Sequence, residues 1–195
     1  MSLLAEAKER SAPFDIQHVN IKIFARKPAP SNLAGAIPVF HRWIQNSVCP
    51  ELLVDVADYR HVPAGPGVVL IGHEANYSLD CAFNRLGLLY NRKEVLDGSF
   101  VDKMVQAYGA AATACRRLEE EPEFSGSLSF DAGDFEIVVN DRLLAPNTEE
   151  TWTRLEPDVN RFVAVLSGGA DYAIRRLGGP LERFRAGVTL TARPA

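Results

Sequence analysis

The chain has 195 residues, 47% of them hydrophobic and 24% charged, with a net charge of −4. This size and balance fit one α+β domain spanning 1–195 that buries a core without disulfides or a structural metal. The acidic total argues against nucleic acid as the partner, because gripping a phosphate backbone draws on clustered Lys and Arg.

In chain order, Val19, Ile21, Ile23 and Ala25 alternate with other residues and predict a first strand. The prolines, Asn32 and Gly35 between Arg26 and Gly35 read as loop. Pro38 then suits the first turn of a helix whose Ile37, Phe40, Trp43, Ile44 and Val48 share a face and which Pro50 ends. Leu52 to Tyr59 and Gly67 to Glu74 read as an antiparallel hairpin around the Pro/Gly loop 60–66, with Val68 to Ile71 as a central strand covered on both faces. Tyr77 to Asp80 and Leu86 to Tyr90 add two more strands.

From Ser99 to about Glu120, Phe100, Val101, Met104, Val105, Tyr108, Ala111, Ala112, Cys115 and Leu118 recur at helical spacing and predict a long helix closed by Pro122. Strand pattern returns at Leu128 and Phe130 and from Phe135 to Val139. Asn140-Asp141 is a turn before a short strand at Arg142 to Leu144. Asn147 or Thr148 would cap a third helix that buries Trp152, Leu155, Val159, Phe162, Val163 and Leu166, with a kink or break at Pro157. Tyr172 to Leu177 and Phe184 to Thr191 close the chain around Gly178-Gly179-Pro180. The expected fold is a largely antiparallel sheet with three main helices packed on it. A short echo between Phe83-Asn84-Arg85-Leu86 and Asn140-Asp141-Arg142-Leu143 would make it two weakly related strand-pair-plus-helix units.

Cys49, Cys81 and Cys115 are odd in number and form no CxxC or Cys/His cluster, so they read as reduced thiols. The opening MSLLAEAKERSAPF has no signal-peptide core, and no apolar run reaches the roughly 18 residues of a membrane span. A cytoplasmic protein, loosely ordered over residues 1–15, is the expectation. No phosphate-loop, dinucleotide, zinc-protease or nucleophile-elbow motif is present, so the sequence leaves the cofactor unknown and assigns no metal ligands.

The densest polar constellation is the hairpin. With its loop centred near Pro63, Asp55 sits opposite Ile71 and His73 falls a diagonal step away on the same face. A carboxylate beside an imidazole could orient it for acid/base catalysis; the plainer reading is a structural ion pair. His41 between Phe40 and Trp43, and His61 in the hairpin loop, are candidate ligand contacts. For His41 the plainer reading is a solvated residue on an amphipathic helix. Arg175, Arg176, Arg183 and Arg185 flank the last turn, and Arg175 and Arg185 could receive a carboxylate or phosphate; a charged sheet edge that resists aggregation is the alternative. Three functions therefore compete. The first is a binding or interaction module that self-associates into a homo-oligomer. The second is a metal-assisted hydrolase or acid/base enzyme centred on 52–74, and the third a carrier of a small anionic ligand.

Overall fold

The computed structural model describes residues 15–30 and 32–191; apart from Asp15, the loose start expected of residues 1–15 lies outside the described residues. The elements are β1 (Val19–Ala25), α1 (Ala36–Gln45), β2 (Leu53–Tyr59), β3 (Gly67–Gly72), β4 (Ala75–Asp80), β5 (Gly87–Arg92), α2 (Phe100–Glu120), β6 (Phe130–Val139), α3 (Glu149–Ser167), β7 (Tyr172–Leu177) and β8 (Phe184–Leu190). The described strands form one antiparallel sheet in the order β2-β3-β4-β5-β1-β6-β8-β7. The fold is α+β, as the order of apolar patterns predicts.

Strand register carries the core across the sheet. Ile21 stands between Tyr90 and Ile137, Tyr90 faces Tyr77, and Ile137 faces Ala186. All five are buried, and α2 crosses over β5, β1 and β6 while α1 covers β2 and β3. Aromatic rings join the layers: Tyr108 of α2 and Phe162 of α3 both meet Phe135 edge-on. Because β3 lies next to the β2 edge and α1 covers one side, Val69 and Ile71 stay partly exposed. This corrects the expectation of a strand buried on both faces.

The long helix begins at a reciprocal cap, in which Ser99 Oγ accepts from Asp102 N at 3.2 Å and the Asp102 carboxylate accepts from Ser99 N at 2.8 Å. Its buried face is turned toward Lys103, Ala107 and Ala114, leaving Val105 52% exposed. The Lys103 stem can be buried because its ammonium donates to Ile16 O at 2.8 Å and approaches Asp15 at 3.3 Å. The third helix runs unbroken through Pro157. Pro157 and Thr153, whose carbonyl loses its helical partner, are both exposed, so water can take up the freed acceptor. Thr148 supplies the cap, and the neighbouring Asn147 is buried and donates instead to Leu177 O and Arg183 O.

Residues 142–144, expected as a strand, form a turn. The Asp141 carboxylate accepts from the backbone N–H groups of Gln17 and His18, and Ala145 N closes back on Asp141 O at 2.7 Å, which bends the chain away from the sheet. The segments behind the expected echo thus occupy unlike places, one before a strand and the other before a helix. A different repetition of path exists. In each half a strand leads to a helix and then to an antiparallel meander whose last strand returns beside the first: β5 beside β1, and β8 beside β6.

Candidate functional site

Asp55 and His73, the pair proposed from the hairpin, share no hydrogen bond or ion pair among the described residues. Asp55 does face Ile71 as the register predicted, but its carboxylate caps the N–H of Val56 at 2.8 Å. His73 lies past the end of β3, 66% exposed, with its ring 3.9 Å from Glu74. The strand stops at Gly72, so adjacent residues there are no longer forced to opposite faces. We expect Asp55→Asn and His73→Ala each to change stability by less than ~0.5 kcal/mol and to add without coupling, as exposed sites do. Urea denaturation of the single and double variants checks this; coupling above error would restore the pair. His41 is exposed on α1 while Phe40 and Trp43 beside it are buried, and its neighbour Arg42 is held by Glu121 and Glu123. His61 stands in the exposed β2–β3 turn, 6.4 Å from the Tyr59 ring.

The Asp–His arrangement sought in the hairpin occurs elsewhere. His18 Nδ1 lies 2.5 Å from Asp141 Oδ1. Burial acts to raise the Asp141 carboxyl, but hydrogen bonds from His18 and Gln17 outweigh it and hold the group below its ordinary range. This carboxylate also anchors the 140–145 turn, which gives it structural work independent of chemistry. Among the described residues, no group of three His, Cys, Asp or Glu side chains could hold a metal ion, and no helix is long and apolar enough to cross a membrane. Cys49 is half-buried beside Glu51, and its thiol is pushed up to about 11, burial being the larger cause; it is no nucleophile near neutrality.

The face of the sheet opposite the core is where charge gathers. Lys22 on β1 neighbours Glu136 on β6, Glu136 neighbours Gly187 on β8, and Gly187 neighbours Arg175 on β7. Lys22 Nζ reaches Asp80 Oδ1 at 2.5 Å with both side chains under a tenth exposed. The reach needs Gly87, where a Cβ would lie 2.6 Å from Ile23 O and 3.0 Å from the Lys22 stem. Arg185 pairs with Glu136 at 3.2 Å and Glu182 at 3.0 Å, while its buried Nε has no acceptor.

Two aromatic rings and the loop after β4 roof part of this face. The Arg85 guanidinium stacks 3.4 Å from the Phe24 ring centroid and pairs with Asp134 at 2.7 Å; that of Arg185 stacks 3.9 Å from Phe83. Phe83 and Asn84 have φ of 59° and 55°, left-handed backbone that strains a bulky side chain by roughly 1–3 kcal/mol. Lys22 Nζ, donating to Ala82 O at 3.3 Å, and Ala82 N, donating to Asp80 at 3.1 Å, fasten the loop to the sheet. Between loop and strands lies a pocket of about 240 Å³, lined by Arg85, Arg175, Arg185, Phe24, Phe83 and Thr189 among others. Gly187 clears its floor between Glu136 and Arg175.

We compared the chain with family models, curated proteins and solved structures. It matches none. The residues of the site therefore have to speak through their chemistry. Of the side chains named from sequence, Arg175 and Arg185 meet in this pocket. Lys22, Asp80, Glu136 and Arg85 went unnoticed. The available signal was an ionisable residue in the middle of an apolar strand: Lys22 within Asn20-Ile21-Lys22-Ile23, and Glu136 within Phe135-Glu136-Ile137.

Proposed function

We propose that this protein binds a small anion, of carboxylate or phosphate type, in the pocket on the helix-free face. The observation that carries the reading is Arg175: its side chain lines the pocket, is exposed, and makes no hydrogen bond or ion pair among the described residues. Arg85 and Arg185 stand beside it with their guanidinium planes fixed by Phe24 and Phe83. Asp134 pairs with Arg85, and Glu136 and Glu182 both pair with Arg185, so Arg175 is the cation of the lining left without a counter-charge. Stacked guanidinium groups are already oriented, so less freedom is lost when they receive the planar fork of a carboxylate or the oxygens of a phosphate.

The test is thermal stabilisation and calorimetry at constant ionic strength with acetate, butyrate and inorganic phosphate. The expected result is saturable stabilisation by at least one of them, as linkage requires of a ligand that binds the folded state. Arg175→Gln, at an exposed side chain without partners, should leave the unliganded melting temperature unchanged and weaken binding about tenfold, or ~1.4 kcal/mol. Stabilisation that follows ionic strength alone, or is indifferent to Arg175→Gln, would defeat the reading.

A further inference from the structure

The pocket does not end at Arg85. Arg85 and Asp134 also line a second, larger cleft of about 790 Å³ at the end of β1 and the start of β6, whose walls include Arg26, Lys27, Asn84 and Asp131. Their ion pair stands where the two spaces meet. Both partners are partly exposed, 44% and 35%, such a bridge is worth no more than about 1 kcal/mol, and it engages Arg85 through Nη2, which leaves its other N–H groups for a ligand.

Each space holds one cation without a partner. Arg175 is that cation in the pocket; in the cleft it is Lys27, exposed and without a hydrogen bond or ion pair among the described residues. Arg26 beside Lys27 is only loosely held, 3.2 Å from Asp131 with both side chains well exposed. Along the whole groove five cations (Arg26, Lys27, Arg85, Arg175 and Arg185) face the lining carboxylates Asp131, Asp134 and Glu136 together with Glu182, which pairs with Arg185; because Arg185 takes two of these carboxylates, Arg175 and Lys27 are the cations left uncompensated. Beside the Arg85–Asp134 pair the cleft offers apolar surface from Ala25 and Leu86, both partly exposed.

We propose that the groove takes an elongated dianion: two terminal carboxylate or phosphate-type groups on a short apolar spacer. One anionic group is received by Arg175 and Arg185 and the other by Lys27 and Arg26, with Arg85 between them, its plane held against Phe24 and its N–H groups not engaged by Asp134 turned to the ligand. The proposal rests on the anion-binding reading and extends it. Its physical basis is charge complementarity together with the high effective concentration of a second anionic group once the first is bound.

The experiment is calorimetric titration at constant ionic strength with straight-chain dicarboxylates from succinate to suberate, with the corresponding α,ω-bisphosphonates, and with monoanions of equal length. At one spacer length the dianion should bind at least tenfold tighter than its monoanion. Lys27→Gln should erase that advantage, bringing the dianion to the affinity of its monoanion, and Arg175→Gln should weaken both. If monoanions bind but dianions gain nothing at any length, or if the gain survives Lys27→Gln, the extended ligand is wrong and the simple anion site stands. If neither class binds, the anion reading fails, and this proposal with it.

Discussion

Ala111→Asp is expected to remove most or all of the stability of the fold. Ala111 is fully buried on the face of α2 that lies against the sheet, in the same contiguous core as Ile21, Ile23 and Ile137. A carboxylate there finds neither water nor a cation, and it would either protonate or pull the helix away from the strands. Uncompensated burial of this kind costs several kcal/mol, on the order of 4 or more, against a total of roughly 5–15 kcal/mol for a domain. Ala110, only partly buried and lining a cavity beside Gly109, should accept serine for less than ~1 kcal/mol. Denaturant melts of both variants supply the measurement. An Ala111→Asp midpoint within error of the parent would overturn the packing described for α2.

The second large effect concerns Lys22 and Asp80. Lys22→Met leaves the Asp80 carboxylate buried without its cation, and Asp80→Leu leaves the ammonium; each should destabilise by ~3–5 kcal/mol. The combined Lys22→Met/Asp80→Leu variant should lose much less than the two single losses added together, because neither charge is then stranded. Coupling in a urea double-mutant cycle is the readout, and additive losses would show that the pair is not the unit the geometry describes. The pair also holds the loop through Ala82 N and Ala82 O. The double variant should therefore free Phe83 from its left-handed backbone and weaken anion binding even where the sheet survives.

Why some of this was legible in the sequence and some was not follows from what periodicity encodes. Alternation in Val19 to Ala25 and the helical spacing from Phe100 to Leu118 report which side of an element is apolar, and they give the first strand, the helices and the antiparallel hairpin, but not the turn that residues 142–144 form in place of a strand. They are silent on what the other side meets. Asn20 and Lys22 face away from the core, where a sequence reader assigns solvent, yet they are buried at 0% and 5% exposure, Asn20 accepting from Arg92 N and Lys22 paired with Asp80 of β4. Nor does local pattern show that Asp80 lies within reach of a lysine 58 positions away. The Arg175–Arg185 patch was legible because a hairpin is a local structure. At 52–74 alternation sets Asp55 opposite Ile71 but does not fix the side of His73, because the strand ends at Gly72.

The position of β8 has a consequence for how the polypeptide comes together. The last described strand is interior, with β6 on one side and β7 on the other. During vectorial synthesis β7 emerges first and has no place to dock, since its hydrogen bonds in the sheet are made to β8 alone. The central β1–β6 ladder joins residues as far apart as Val19 and Val139, so a long loop must close before that pairing gives any return. Assembly of this sheet is thus a late event, completed from its inside. Until β8 arrives, Phe135 and Ile137 have a bare strand edge beside them, and the nascent chain is most open to chaperones and to misassociation at that stage.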